Sequence, residues 1–206
     1  MNRQAWIGFL TLAVVFIGLN RVNAAPGAES DAPRFNKKGE LVPPSDYRDW
    51  VYLTSGLNMS YSDNGKRAGP AGETDEPLPF DNVFVLPSAH REFQRTGTWP
   101  DHTMFVIEIR ASRTKVHPNQ RGYVQGDVVG MPAAVKDLKR FGDRKWGYFS
   151  LMSDGKATPS KAMSPDQCWS CHNKNGAVDN TFVQFYPTLK PIAQEKGTYK
   201  ESQAGR

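Results

Sequence analysis

Short runs of β-branched and aromatic residues in the middle of the chain predict several β-strands. Gly, Pro or Asp bounds each run. The runs are residues 82–86, 103–109, 123–129 and 146–152. Residues 88–95 predict a short helix that ends at Gly97, and residues 47–57 predict a short helix that leads into a strand. The pattern therefore predicts a mainly β (α+β) fold with a few short helices.

The run at 103–109 has two distinct faces if it forms a strand. Side chains alternate along a strand, so Phe105, Ile107 and Ile109 share one face. Glu108 falls on the other face together with Met104. We therefore expect Ile107 on an apolar face and Glu108 pointing away from it.

The C-terminal third predicts a helix that carries both cysteines of the chain. Ser164 suits the N-cap, Pro165 suits the first helical position, and Gln167 completes a capping box. The helix would contain residues 168–172 and end at Gly176.

A further segment follows this helix. Asp179 is a candidate N-cap for it, and Phe182 and Phe185 fall on its apolar face. Pro187 is expected to break or kink the segment. Residues 194–206 are polar and predict a frayed tail.

The first 24 residues predict a cleaved export signal. Residues 7–19 form an apolar run too short to cross a bilayer comfortably, and the stretch ends in small residues at Ala24. An uncleaved membrane anchor is the alternative, but the lone Arg21 is a weak flank for it. Cleavage near Ala24 would leave a periplasmic protein with residues 25–34 as a flexible lead-in.

The charge pattern does not indicate a nucleic-acid partner. The formal net charge of +5 falls to +3 when the signal segment removes Arg3 and Arg21 and no acidic residue. The remaining basic residues are scattered, without a run of five or six like charges. A mildly positive field would favour encounter with an acidic redox partner.

One motif carries the chemistry of the chain. Residues 168–172 read CWSCH, which is C-x-x-C-H, the attachment pattern of c-type haem. Thiols three positions apart on a helical turn lie on one face, so Cys168 and Cys171 can each add to a haem vinyl group. His172 follows directly and can bind the iron as proximal ligand. The motif therefore predicts one covalent haem c.

Three alternative roles for the two cysteines are weaker. A structural zinc site needs about four ligands, but no second cysteine pair exists. A thioredoxin-like redox pair would follow a strand in a βαβ unit, a pattern that this chain lacks. A disulfide between Cys168 and Cys171 would close almost no loop and would not explain His172.

The position of the motif narrows the type of haem protein. Small electron-transfer cytochromes take a methionine ligand downstream of the motif, but the last methionine here, Met163, precedes it. The 15 prolines and 18 glycines argue against a four-helix cytochrome. With these two types excluded, the sequence predicts a mainly β haem c domain over residues 35–193 that has a C-terminal haem-binding helix.

Several segments taken in order resemble the cytochrome P460 family, which includes the β-type cytochromes c′. The resemblance covers residues 35–191. It rests on FNKKGEL at 35–41, YRDWV at 47–51, GY and GD within 122–127, AVKD at 134–137, WGYF at 146–149 and TFVQFYP at 181–187. It implies an antiparallel β fold with a few helices, a homodimer, and a haem whose distal iron face is open.

The resemblance also implies that two features of the hydroxylamine-oxidising members are missing. Those members carry a lysine cross-linked to the haem edge, and Ile107 occupies the corresponding position. A distal glutamate that handles protons in those members corresponds to Pro132. Lys136 is predicted to be a solvated charge on a helix rather than a replacement for the cross-linking lysine.

These residues favour a haem c protein without the cross-link that binds nitric oxide or a related small nitrogen species. Phe105, Ile107 and Pro132 are expected to line an apolar distal pocket above five-coordinate iron. Such a pocket stabilises neutral diatomic ligands by dispersion and exclusion of water.

Two alternatives remain open from the sequence. A haem oxidoreductase acting on hydroxylamine or nitric oxide needs a proton acceptor, for which Asp81 and His90 are candidates. An electron-transfer cytochrome needs a sixth iron ligand. Candidates for that ligand are Met104, Met131 and His102.

Overall fold

The computed structural model describes residues 31–59 and 78–201. The predicted signal segment lies outside these residues. The strands are β1 Val51–Leu57, β2 Phe80–Val85, β3 Met104–Arg113, β4 Val124–Gly130, β5 Pro132–Lys136, β6 Trp146–Ser150, β7 Met152–Ser153 and β8 Lys156–Ala157. The helices are α1 Pro87–Thr96, α2 Leu138–Phe141, α3 Trp169–Asn175 and α4 Lys190–Glu195, with 3₁₀ turns at Tyr47–Asp49, Gly142–Arg144 and Val183–Phe185.

In the described part of the chain, β1 to β6 form one antiparallel sheet. Its order is β1-β2-β3-β5-β6, and β4 pairs with the second half of β3. β3 is therefore central, with β2 on one side and both β4 and β5 on the other. The predicted mainly β fold with an antiparallel sheet and short helices is confirmed.

Cross-strand register defines the two faces of the sheet. One row runs Val85, Phe105, Ala134, Tyr148 across β2, β3, β5 and β6. The next row runs Phe84, Val106, Ala133, Phe149 across the same strands. Successive side chains alternate in direction, so the rows lie on opposite faces. We call the first the C-terminal face and the second the N-terminal face, after the segments that cover them.

Aromatic side chains from the end of the chain, together with Trp99 after α1, cover the C-terminal face. The ring centroid of Phe105 lies 4.8 Å from that of Trp99 and 6.3 Å from that of Tyr186. The ring of Tyr148 lies 4.5 Å from the imidazole of His172. This face therefore holds the C-x-x-C-H segment against β6.

Residues from the beginning of the chain, together with Phe141 at the end of α2, cover the N-terminal face. The ring of Phe149 lies 6.0 Å from Phe35 and 6.3 Å from Phe141, and Phe84 lies 5.7 Å from Tyr47. These contacts enclose the second layer of the core.

Helix α1 follows its sequence signals closely. Pro87 occupies the first turn, and Gly97 ends the helix in the left-handed conformation with φ +74°. Phe93 is fully buried and its ring lies 4.1 Å from Trp99. The helix thus carries Trp99 onto the C-terminal face.

Three local predictions are wrong. The helix with the cysteines begins at Trp169 rather than after Ser164, because residues 165–168 form a turn, although Gly176 ends it as predicted. Asp179 does not cap the next element, whose N-cap is Phe182. The tail is packed as far as residue 200, because Tyr199 is 8% exposed and the N–H of residue 200 donates to the Ala177 carbonyl.

The prediction for Lys136 is also wrong. This residue ends β5 rather than lying on a helix, and it is only 8% exposed.

Within the described residues, the helices are all too short or too polar to cross a membrane.

Candidate functional site

The C-x-x-C-H segment forms a turn that places its three chemical groups together. The N–H of His172 donates to the Cys168 carbonyl at 3.1 Å, which closes one helical turn over the two cysteines. Both thiols are free and partly buried. Burial, followed by the nearby Cys171, raises the pKa of the Cys168 thiol. Cys168 and Cys171 therefore lie on one side of the turn, as the spacing requires.

His172 lies between two aromatic rings. Its imidazole is 4.5 Å from Tyr148 on β6 and 4.3 Å from Phe182, measured between ring centroids. Burial lowers the pKa of His172 to about 4, while a hydrogen bond to the Asn180 carbonyl acts in the opposite direction. The ring is therefore neutral near pH 7, which is the form that binds a metal.

The orientation of His172 depends on one backbone carbonyl. Nδ1 lies 3.0 Å from the Asn180 carbonyl oxygen. A carbonyl only accepts, so Nδ1 carries the proton and donates it. Nε2 then keeps its lone pair and is the ring nitrogen that could bind a metal.

The Asn180 carbonyl belongs to a tight turn over residues 178–181. Asp179 has φ +44° and Asn180 has φ +61°, and Val178 and Thr181 close the turn with paired backbone hydrogen bonds. Left-handed backbone at two consecutive non-glycine residues is uncommon and needs support from its surroundings.

Side chains from two distant segments supply this support. Lys136 Nζ donates to Asp179 Oδ2 and to the Trp99 carbonyl oxygen, both at 2.5 Å. Trp99 Nε1 donates to Thr181 Oγ1 at 2.9 Å, and that hydroxyl donates to the Val178 carbonyl at 2.7 Å. The turn is thus fastened to β5 and to the chain after α1.

Gly176 permits the close approach of the turn to the end of α3. A Cβ at this position would lie 2.6 Å from the Asn180 carbonyl carbon and 2.7 Å from the His172 carbonyl oxygen. Both are backbone atoms, so neither can move aside cheaply. Gly176 therefore suits this position because it lacks a side chain.

Tyr148 presents a polar atom beside the motif. It is 7% exposed, and its buried hydroxyl has no hydrogen-bond partner among the described residues. Burial, and then the nearby Cys168 and Asp179, raise the pKa of this hydroxyl. A buried hydroxyl without a hydrogen-bond partner lowers the stability of the fold. A bound group with polar edges could supply the missing hydrogen bond to Tyr148.

The three residues expected in a distal pocket lie on the C-terminal face. Phe105 and Ile107 are two positions apart on β3, and Pro132 is two positions before Ala134 on β5. Phe105 is buried, whereas Ile107 and Pro132 are only partly buried. The structure thus brings them to one face, and their role in a distal pocket remains a prediction.

Glu108 points to the opposite face, as the strand alternation predicts. It is 3% exposed and bonds Tyr47 Oη, Arg48 and Arg110, with Arg48 Nε at 2.7 Å. Burial alone would raise the pKa of Glu108, but the hydrogen bonds from Arg110, Tyr47 and Arg48 outweigh it and lower the pKa to about 2. Glu108 is therefore a fixed carboxylate of the N-terminal face.

The three candidates for a sixth iron ligand occupy different environments. Met104 is 2% exposed and pairs with Val135 in the register of the N-terminal face. Met131 is 7% exposed within the core cluster. His102 is exposed beside Asp101, with 3.7 Å between Nε2 and the carboxylate. The described residues also contain no group of three or more His, Cys, Asp or Glu placed to hold a metal ion.

Together, an antiparallel sheet and a C-x-x-C-H turn packed on one of its faces define a mainly β haem protein. The chain belongs to the cytochrome P460 family, whose family model, described as cytochrome P460, matches residues 44–183. A search of curated proteins gave no match. The matched range includes β1 to β6 and the whole motif, and membership of this family implies a haem cofactor.

The residues present fit such a group. Two free thiols, a neutral imidazole with Nε2 available, and an unpartnered buried hydroxyl lie together on the C-terminal face. Cys168, Cys171 and His172 are the residues that would hold the haem. The C-x-x-C-H pattern predicts these three residues from the sequence, whereas no motif signals the contacts of Lys136, Asp179 and Trp99.

Proposed function

We propose that this protein is an exported mono-haem c-type cytochrome that binds nitric oxide or a related small nitrogen species at an open distal iron site. The observation that carries the proposal is the turn of Cys168, Cys171 and His172, in which the Nδ1 bond to Asn180 leaves Nε2 for the iron. When bound, the haem supplies an iron that coordinates small neutral ligands.

The distal side is proposed to be apolar and free of a haem–lysine cross-link. Ile107, which corresponds to the family's cross-linking lysine, has no nitrogen with which to form the bond. Pro132 corresponds to the family's distal glutamate and has no proton to transfer. Apolar groups stabilise neutral diatomic molecules by dispersion and disfavour ligands that need hydrogen bonds.

Export and partners complete the proposal. The apolar run at 7–19 and the small residues before position 25 support cleavage and a periplasmic location. Family resemblance supports a homodimer, and the net positive charge supports an acidic redox partner.

Covalent attachment is tested by haem staining after denaturing electrophoresis, using a host that matures c-type cytochromes. We expect a stained wild-type band, a weak or absent band for Cys171→Ala, and an unchanged band for Ser170→Ala. Ser170 is a matched control because it is an exposed residue between the two cysteines. An unstained wild-type band would refute the central proposal.

The distal site is tested by optical spectroscopy and mass spectrometry of the purified holoprotein. We expect a five-coordinate resting spectrum, an ordinary ferrous haem c Soret band, nitric oxide binding by the ferrous form, and one thioether-linked haem peptide. A second peptide joined to the porphyrin would show that Ile107 does not replace the cross-linking residue, and low-spin six-coordinate iron would favour electron transfer.

One observation favours oxidation of hydroxylamine as a second candidate function. Asp81 pairs with Ile109 in the register of β2 and β3, so its carboxyl group lies on the same face as Ile107. A carboxylate there is a candidate proton acceptor. Rapid hydroxylamine oxidation by the wild type that is lost in Asp81→Asn would support this candidate, whereas slow or absent turnover by the wild type supports ligand binding.

A further inference from the structure

The turn that orients His172 is held by an ion pair between Asp179, within the turn, and Lys136, which is distant in sequence. Lys136 and Asp179 are 10% and 14% exposed at their side chains, and Nζ and Oδ2 are 2.5 Å apart. Lys145 lies at 4.0 Å from the other carboxylate oxygen but is half exposed. Lys136 is therefore the buried cationic partner of this carboxylate.

The ion pair lies next to Asn180, whose carbonyl oxygen accepts the hydrogen bond from the His172 imidazole. Asp179 directly precedes Asn180, and both residues have positive φ. Asp and Asn tolerate left-handed backbone better than other non-glycine residues, but two such residues in succession persist only where the surroundings hold them. Removal of the Asp179 anchor would let the turn relax and carry the Asn180 carbonyl away from Nδ1.

Lys136 also contacts Trp99, the residue that makes the second side-chain contact to the turn. Its Nζ donates to the Trp99 carbonyl, and the Trp99 indole donates to Thr181 at the end of the turn. The Lys136 ammonium group on β5 thus contacts the turn directly at Asp179, and it contacts it indirectly at Thr181 through Trp99. The position of the Asn180 carbonyl is set by the sheet rather than by the C-terminal segment alone.

We propose that Lys136 and Asp179 are positioning residues for the iron ligand, which act through the Asn180 carbonyl to fix the direction and basicity of the His172 imidazole. A hydrogen bond from Nδ1 to a fixed acceptor raises the basicity of a metal-bound histidine and sets its ring orientation. The proposal rests on the proposed function in that His172 is taken as the iron ligand.

The test uses full-length holoprotein with Lys136→Met and Asp179→Asn, which remove one charge each and nearly preserve shape. The iron–histidine stretching band of the ferrous protein is recorded by resonance Raman spectroscopy. We expect a lower and broader band in both variants, because the imidazole loses its fixed acceptor. Lys136→Arg keeps the charge and the donors, and should retain a band close to that of the wild type.

Hydrogen exchange of the backbone amides at 176–182 gives a second readout that does not depend on the haem. We expect exchange about tenfold faster in Lys136→Met and Asp179→Asn, since the turn opens more often. Glu92→Gln is the control, because it removes an ion-paired carboxylate at the exposed surface of α1, where the loss costs little stability. It should leave both the band and the exchange unchanged.

The outcomes separate this proposal from the proposed function. A wild-type band and wild-type exchange in both variants, with haem staining intact, would overturn the positioning role. A wild type without covalent haem would refute the proposed function, and the exchange rates would then decide whether the pair holds the turn. If one variant does not fold, the other and Lys136→Arg still give the comparison.

Discussion

Replacement of Glu108 by Gln removes a buried carboxylate that two guanidinium groups and a phenol bind on the N-terminal face. Hydrogen bonds from Arg110, Tyr47 and Arg48 lower the pKa of Glu108 from 4.5 to about 2 despite its burial. A depression of this size corresponds to about 3 kcal/mol of folding free energy. Arg48 is 57% exposed, so solvent screening reduces the expected contribution to about 2 kcal/mol.

The sign of the pH dependence follows from the depressed pKa of Glu108. The unfolded chain binds a proton at this residue below about pH 4.5, and the folded chain only near pH 2. The stabilisation is therefore complete above about pH 5 and is lost as the pH falls towards 2. Wild type and Glu108→Gln should differ by about 2 kcal/mol at neutral pH and converge in acid.

The assay is urea unfolding followed by far-ultraviolet circular dichroism at pH 7, 5 and 3.5. Glu92→Gln serves as the control, since Glu92 pairs with Arg95 at the surface of α1 and should contribute little. The visible spectrum of Glu108→Gln holoprotein should match that of the wild type, because Glu108 faces away from His172. Equal differences in unfolding free energy at pH 7 and pH 3.5, or a changed spectrum, would refute the reasoning.

Two further predictions concern the proposed haem site. Met104→Leu and His102→Gln should each leave the resting optical spectrum unchanged. The reason is that Met104 lies on the N-terminal face and His102 is exposed. Loss of a low-spin spectrum in either variant would identify the replaced residue as a sixth iron ligand. Gly176→Ala should lower the free energy of unfolding by about 1–3 kcal/mol or more and broaden the iron–histidine band, because its Cβ would meet backbone atoms at 2.6 Å and 2.7 Å. An unchanged midpoint in urea together with a sharp band would contradict the Gly176 argument.

The regular elements were largely predictable from the sequence because their signals are local. β-Branched runs bounded by turn residues indicated four of the strands, and Gly97 marked the end of α1 as the left-handed cap that it forms. Strand alternation also placed Ile107 and Glu108 on opposite faces. The three residues of the motif follow from spacing alone, since C-x-x-C-H is a short-range pattern.

The remainder depends on contacts that no local pattern encodes. Lys136 lies in a segment whose composition suits a helix, yet pairing with β3 and β6 draws it into a buried strand. The Ser164 capping box is half formed, since Gln167 Oε1 accepts from the Ser164 N–H, but it closes a turn instead of starting the helix. Asp179 resembles an N-cap because short acidic side chains suit both caps and left-handed turns.

The length of α3 bears on the order in which this protein is assembled. A helix of seven residues, Trp169–Asn175, does not persist in an isolated chain. Before the sheet forms, the two thiols therefore lie on a flexible segment rather than on a stable helix. Lys136 and Trp99 contact the turn across 43 and 82 residues of sequence, and contacts of such separation carry a larger loop-closure cost than the local contacts of the motif. In the proposed c-type cytochrome, the haem would therefore be attached before the closed sheet fixes the His172 imidazole.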